Sequence, residues 1–205
     1  MKKTLLIAAF SFLTLGGLSA QTLEKNIFTV RGGVNITDIA TDYTPTDSRI
    51  GFHLGATYER VLSRNLPLYL ETGLMFQKTG WDYNADKTNA YSLQIPLKIN
   101  YKFNLGHDLR LYPSVGVYYA LGIGGKLKTG YGAEFDTYEH ELKRSDFGLE
   151  FGATLTWKHL LFSVGYDLGL TDLNPYDLVT YNGSPSPVDD MRKNRNLFFS
   201  VGYKF

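Results

Sequence analysis

The chain has 205 residues, with 21 basic and 20 acidic side chains and no cysteine. A charge balance this close to zero leaves no electrostatic footprint for nucleic acid. The missing thiols exclude a disulfide-stapled scaffold and a lipid anchor on an N-terminal cysteine.

Residues 1–20 read as a signal peptide. Met1-Lys2-Lys3 is basic, Leu5 to Leu15 is apolar apart from Ser11 and Thr14, and Gly16 to Ala20 are mostly small. The apolar run is shorter than the roughly 20 residues a spanning helix needs. The remaining residues, 21–205, are expected to form one domain, with Gln21 as its first residue.

Eight segments of that domain alternate with period 2, the signature of strands with two unlike faces. The first, about Ile27–Ile36, sets Phe28, Val30, Val34 and Ile36 against Thr29, Arg31, Gly33 and Asn35. The second, about Ile50–Val61, sets Phe52, Leu54, Ala56 and Tyr58 against His53, Gly55, Thr57 and Glu59. The third, Leu68–Lys78, sets Leu70, Leu74 and Phe76 against Glu71, Gly73, Met75 and Gln77. The fourth is the cleanest: Tyr91, Leu93, Ile95, Leu97, Ile99, Tyr101 and Phe103 alternate with Ser92, Gln94, Pro96, Lys98, Asn100 and Lys102.

The fifth runs Leu109–Ile123, with Val115, Val117, Tyr119 and Leu121 opposite Ser114, Gly116, Tyr118 and Ala120. The sixth sets Phe147, Leu149, Phe151, Leu155 and Trp157 against Asp146, Gly148, Glu150 and Gly152. The seventh sets Leu160, Phe162, Val164, Tyr166 and Leu168 against Ser163, Gly165, Asp167 and Gly169. The eighth, Leu197–Phe205, sets Leu197, Phe199, Val201, Tyr203 and Phe205 against Ser200, Gly202 and Lys204, with Phe198 as the exception.

These strands are longer than the five or six residues common in globular sheets and long enough to cross hydrocarbon when tilted. Their connections are sorted by length. Leu62–Leu66, Asn104–Asp108 and Lys158–His159 are short, whereas Thr37–Arg49, Thr79–Asn89, Gly124–Arg144 and Asp172–Asn194 are long. Short turns on one side and long loops on the other predict an eight-stranded antiparallel up-and-down transmembrane β-barrel, all-β in class.

The faces then invert relative to a soluble protein. The apolar face meets lipid. The other face carries an expected lumen polar network of Arg31, Glu59, Glu71, Lys98, Lys102, Arg110, Asp146, Glu150, Asp167 and Lys204, five basic and five acidic, interleaved with glycines. A barrel of eight strands has room inside only for side chains, so glycines beside long charged groups suit its interior. Tyr58, Tyr101, Phe103, Trp157, Tyr203 and Phe205 are expected in an aromatic girdle at the turn end, and Tyr43, Trp81, Tyr83, Tyr91 and Phe147 in one at the loop end.

The segment Tyr91 to Phe103, carrying Leu93-Gln94-Ile95-Pro96-Leu97 and Tyr101, resembles the "LxIPLxxxY" strand of the Bacteroidetes outer-membrane β-barrel domain family, which includes PorT-like proteins. Gly32 to Ile36, Asp146 to Leu149 and Tyr166 to Leu173 resemble other strands of that family. The resemblance implies a shared barrel scaffold without a common catalytic motif.

No chemistry-bearing motif stands out. His53, His107, His140 and His159 lie in no metal-ligand spacing, and there is no GxSxG elbow. His53 is expected to be structural. His140 between Glu139 and Glu141 is the one catalytic candidate and a weak one. Asp172, Asp177, Asp189 and Asp190 lack the spacing of a Ca²⁺ loop. No catalytic, cofactor or metal site is expected.

The sequence therefore predicts a small, non-enzymatic, exported outer-membrane barrel with a structural or surface-interaction role. Its expected partners are outer-membrane lipid, the barrel-assembly machinery, which would read Phe199, Val201, Tyr203 and Phe205 as the insertion signal, and a protein met through the extracellular loops. The alternatives are a pore, a PorT-like component of secretion or surface assembly, and a soluble periplasmic lipocalin-like carrier with an apolar interior.

Overall fold

The computed structural model describes residues 26–40, 47–63, 65–83, 86–140, 142–174, 178–181, 184–187 and 191–205. The signal-peptide reading and Tyr43 lie outside them, as does the side chain of Tyr83.

Eight long strands carry the fold: β1 (Asn26–Ala40), β2 (Asp47–Val61), β3 (Leu68–Tyr83), β4 (Asp86–Tyr101), β5 (Leu109–Lys128), β6 (Ser145–Trp157), β7 (Leu160–Gly169) and β8 (Lys193–Lys204). Each pairs antiparallel with its sequence neighbours, from β1–β2 to β7–β8. β8 returns to pair with β1, Thr29 opposite Lys204 through to Ala40 opposite Lys193, so the sheet closes without a free edge.

The outward rows are apolar and exposed: Phe28, Val30, Val34 and Ile36 on β1, Ile95, Leu97 and Ile99 on β4, Phe199, Val201 and Tyr203 on β8. The inward rows are polar and buried. This geometry is the reverse of a lipocalin-like carrier, and it removes that alternative. No helix among the described residues is long and apolar enough to cross a membrane; the strands do so.

The strands run further toward the loops than their apolar alternation suggests. β1 reaches Ala40, β2 starts at Asp47, and the β3–β4 ladder continues to Tyr83 opposite Asp86. β5 reaches Lys128, where Lys126–Lys128 pair with a short strand at Glu134–Asp136. A single helical turn follows at Thr137–His140, and a separate small hairpin joins Leu178–Tyr181 to Ser184–Pro187. Past the hydrocarbon, backbone pairing persists while the outward side chains turn polar, so the hydrophobic signal ends before the strand does.

Trp81 corrects one expectation. The period of β3 continues through it, which points odd positions inward, and Trp81 is buried inside the mouth and not in the lipid-facing girdle. Tyr91 and Phe147 do sit on the outer surface. Tyr91 stacks on Phe76 with ring centres 6.1 Å apart, and Phe76 lies 6.0 Å from Phe52. At the turn end, Phe28, Tyr203 and Phe205 form a second cluster, with Phe205 5.0 Å from Tyr203 and 6.0 Å from Phe28.

Interior glycines make space for aromatic rings. A Cβ at Gly165 would collide with the ring of Phe198, which folds into the lumen, and one at Gly148 would lie 2.6 Å from Tyr118. The inward Phe198, an irregularity in the alternation of β8, thus has a specific seat on β7.

The turn between the short strand Phe103–Gly106 and β5 holds His107 at φ 51° and Asp108 at φ 62°. Two consecutive left-handed residues make the primed hairpin turn that glycine favours at its second position. Asp108→Gly is expected to raise the urea midpoint of the folded protein, by about 1 kcal/mol of stability. An unchanged or lower midpoint would show that the turn is not strained.

Candidate functional site in the barrel lumen

The inward rows converge on a ladder of charged and amide side chains. In the middle, Glu71 of β3 receives Arg31 Nη2 of β1 at 2.6 Å, Lys98 Nζ of β4 at 3.3 Å and Asn100 Nδ2 at 2.7 Å. Lys98 also reaches Glu150 Oε1 of β6 at 2.7 Å. Gln77 Nε2 donates to Gln94 Oε1 at 2.6 Å, and Gln94 Nε2 to Glu150 Oε2 at 3.4 Å. All of these groups are buried. Buried charges are tolerated only when paired and hydrogen-bonded, and here one carboxylate is shared by three donors from β1 and β4.

Toward the turns, Lys102 Nζ meets Glu59 Oε2 at 2.6 Å and lies 3.8 Å from the ring centre of Tyr69 and 4.5 Å from that of Tyr112. Two aromatic faces and a carboxylate thus surround one ammonium. Toward the mouth, Asp146 accepts from Tyr118 Oη at 2.9 Å and Asn194 Nδ2 at 3.2 Å. Asp167 accepts from Asn196 Nδ2 at 2.9 Å, and Asn196 Oδ1 accepts from Thr37 at 3.2 Å.

Of the ten charged residues the alternation points inward, nine are buried: Arg31, Glu59, Glu71, Lys98, Lys102, Asp146, Glu150, Asp167 and Lys204. Arg110, near the turn end of β5, is half-buried. Phe199, Val201, Tyr203 and Phe205 face outward, between 45% and 69% exposed, and the Phe205 N–H donates to the Phe28 carbonyl at 2.9 Å.

Strand pairing also assembles a set that the linear order conceals. His53 of β2 lies between Asn35 of β1, Nδ1 to Oδ1 at 2.6 Å, and Ser200 of β8, Nε2 to Oγ at 2.7 Å. Asn35 Nδ2 donates to the Phe52 carbonyl at 3.5 Å, which turns its oxygen toward the imidazole. The proton then resides on Nδ1, and Nε2 accepts from the Ser200 hydroxyl. This is the order of a nucleophile, a base and an orienting group. Ser200 is nevertheless 5% exposed, and the neighbouring cavity beside Arg31, Glu150 and Phe198 measures about 20 Å³. That volume admits about one water and no acyl group.

The three residues join β2, β1 and β8, and so fasten the seam where the first and last strands meet. Ser200→Ala leaves Nε2 buried without a donor, and a loss of about 1–3 kcal/mol is expected. A urea midpoint equal to that of the parent protein would rule out this fastening role.

An apolar cap closes the loop end. Ile39, Trp81 and Ala90 point inward from β1, β3 and β4 and meet Leu142 and Leu173 from the third and fourth loops, with Tyr138 against them. Asp136 accepts the Tyr138 N–H at 2.8 Å, Thr137 Oγ1 donates to the Asn89 carbonyl at 3.0 Å, and the Tyr138 hydroxyl to the Tyr91 carbonyl at 3.2 Å. Burial pushes the Tyr138 phenol up to about 12, so it stays a donor. The Lys143 N–H donates to the Leu173 carbonyl at 2.8 Å, tying the two loops together.

Beneath this cap a cavity of about 40 Å³ lies among Gln77, Gln94, Asp146 and Asn194, room for about two waters. Asp172 accepts the N–H groups of Asn174 and Arg192, each at 3.0 Å, which uses it as a loop tie. Asp177, Asp189 and Asp190, and the side chains of Glu139, His140 and Glu141, lie outside the described residues. No group of three or more potential ligands for a metal occurs among the described residues.

A closed sheet, a lipid-facing exterior and an ionic lumen together define a membrane barrel. Residues 19–174 match the model of a family described as outer membrane protein beta-barrel domain. The chain belongs to the outer membrane protein beta-barrel domain family. It is accordingly an outer-membrane protein, and its lumen and cap are features of this family member.

No curated protein matches the sequence. A major outer membrane protein from Thermus thermophilus superposes with a TM-score of 0.51 at 14% identity, over 89% of this chain and 100% of that one. OprG from Pseudomonas aeruginosa gives 0.49 at 15% identity, over 91% and 99%. The outer membrane enzyme PagL gives 0.47 at 16% identity, over 86% and 98%. At these identities the likeness concerns the fold alone.

Proposed function

We propose that this family member is a closed, non-enzymatic barrel that holds its loops at the cell surface as an interaction platform. The observation that carries the reading is the lumen itself. Paired ions and amides fill it, an apolar cap covers it, and the two cavities measure about 20 and 40 Å³. A passage for solutes and a chamber for substrate are both absent among the described residues.

Two measurements on the refolded protein test this. Planar bilayers should show no stable large conductance. A fluorophosphonate probe should not label Ser200, because the hydroxyl is sealed from acyl-sized molecules. A steady open channel, or labelling lost in Ser200→Ala, would refute the reading.

The loops would meet a protein partner outside, and the outward row Phe199, Val201, Tyr203 and Phe205 would serve the barrel-assembly machinery during insertion. Deleting Phe205 without loss of membrane insertion would dismiss that last role. A PorT-like part in secretion is supported only by the resemblance of the Leu93 to Tyr101 stretch, and a secretion defect on gene deletion is its test.

A further inference from the structure

The outer wall of β3, β4 and β5 changes character just above the loop-end aromatics. Lys78 stands in register between Phe52 and Tyr91, on the lipid-facing side. A lysine among aromatics at the edge of hydrocarbon lifts its ammonium to headgroup level. Among the described residues, neither Lys78 nor Lys87 makes an ion pair; Lys87 faces Asp82 in register, but Asp82 bridges Arg49 and itself faces Asp47.

One step outward the row reads Gly80, Asn89 and Lys126, and the next reads Asp82, Lys87 and Lys128. Lys87 and Lys128 are directly opposed, an unfavourable cross-strand pair of like charges. Glu134 neutralises only part of this. It bridges Lys126 at 2.9 Å and Lys128 at 2.7 Å, and hydrogen bonds from Lys128 and Lys126 hold its carboxyl down at about 2.

Arg49 crosses over Gly80 to reach Asp82 at 3.2 Å and the Thr88 carbonyl at 3.0 Å. Gly124, in register with Tyr91, has open space where a side chain would stand. The result is a shallow recess at Gly124, flanked by Lys78 and Lys126 in the neighbouring register positions, with Arg49 lying over the buried Gly80 on its far side. At the same height on the seam, Arg195 faces Asp38 in register, so charge there is matched.

We infer that this recess binds a phosphate of the anionic glycolipid in the outer leaflet, with the lipid's acyl chains lying along Phe76 and Leu93. Three features select that ligand. The cations outnumber the carboxylates that meet them, they sit at headgroup depth, and the surface directly below them is apolar and aromatic. A phosphate there gains charge-assisted hydrogen bonds from lysine and arginine, and it relieves the opposition of Lys87 and Lys128.

The inference rests on the outer-membrane placement. Vesicles of phosphatidylcholine alone separate the two, because every variant should insert into them whether or not the recess binds anything. The test places the protein in vesicles of phosphatidylcholine with lipid A, in bisphosphorylated or dephosphorylated form, and counts lipid A retained after detergent extraction by native mass spectrometry. The parent protein should retain the bisphosphorylated form at least tenfold better than the dephosphorylated one. Lys78→Ala combined with Lys126→Ala should lose most of that preference, and Arg195→Ala should keep it.

Equal retention of the two lipid forms, or undiminished preference in the double variant, would overturn the proposal. So would displacement of lipid A by inorganic phosphate at equal concentration, which would mark a site for the free ion. If the double variant inserts poorly, the comparison of lipid forms on the parent protein still decides.

Discussion

Glu71→Leu is expected to cost about 3–5 kcal/mol of folding stability, the loss typical of breaking a buried ion pair from one side. Glu71 is the acceptor for Arg31, Lys98 and Asn100 together. Without it, Arg31 is left buried and stripped of its ion-pair partner, while Lys98 retains Glu150 at 2.7 Å. The asymmetry yields a second expectation. Adding Arg31→Met to Glu71→Leu should recover a large part of the loss, because it removes the stranded charge. Adding Lys98→Met should recover less, because it strands Glu150 in turn. Urea midpoints in vesicles read all of these. A single-variant cost below about 1 kcal/mol, the range of exposed pairs, would mean that water reaches the lumen freely.

Ile95→Arg tests the other face. Ile95 is 50% exposed, on the outer wall of β4 between the aromatic levels marked by Tyr91 and Tyr101. A cation near the bilayer midplane of a β-barrel costs about 2–4 kcal/mol, falling toward 0–1 near the interface. Ile50→Arg, beyond the loop-end aromatics, should therefore be nearly silent in the same assay. Equal costs at the two depths, or none at Ile95, would show that the apolar wall does not face lipid.

The two faces differ in how far they are legible in the linear order. Outward positions follow from alternation alone, because a strand turns each successive side chain to the opposite side. The clean run from Tyr91 to Ile99 therefore places Leu97 outside and Lys98 inside without any partner being known. Even the irregular Phe198 obeys its parity, and only the glycine that receives it is hidden. Trp81 marks the limit of local patterning. Its parity is readable, but the polar residues around it conceal that the strand has not ended. Leu142 and Leu173 carry no period at all, so nothing local marks them as halves of one cap.

Strand count, the sorting of short turns from long loops, and the rows that meet lipid are all written in the linear chain, because a period of 2 is a property of neighbouring residues. Which charges meet is not. Arg31 and Glu71 are 40 positions apart and His53 and Ser200 are 147 apart, and their contact depends on the stagger and closure of the whole barrel. Register couples all eight strands at once, and no stretch of chain contains that information alone.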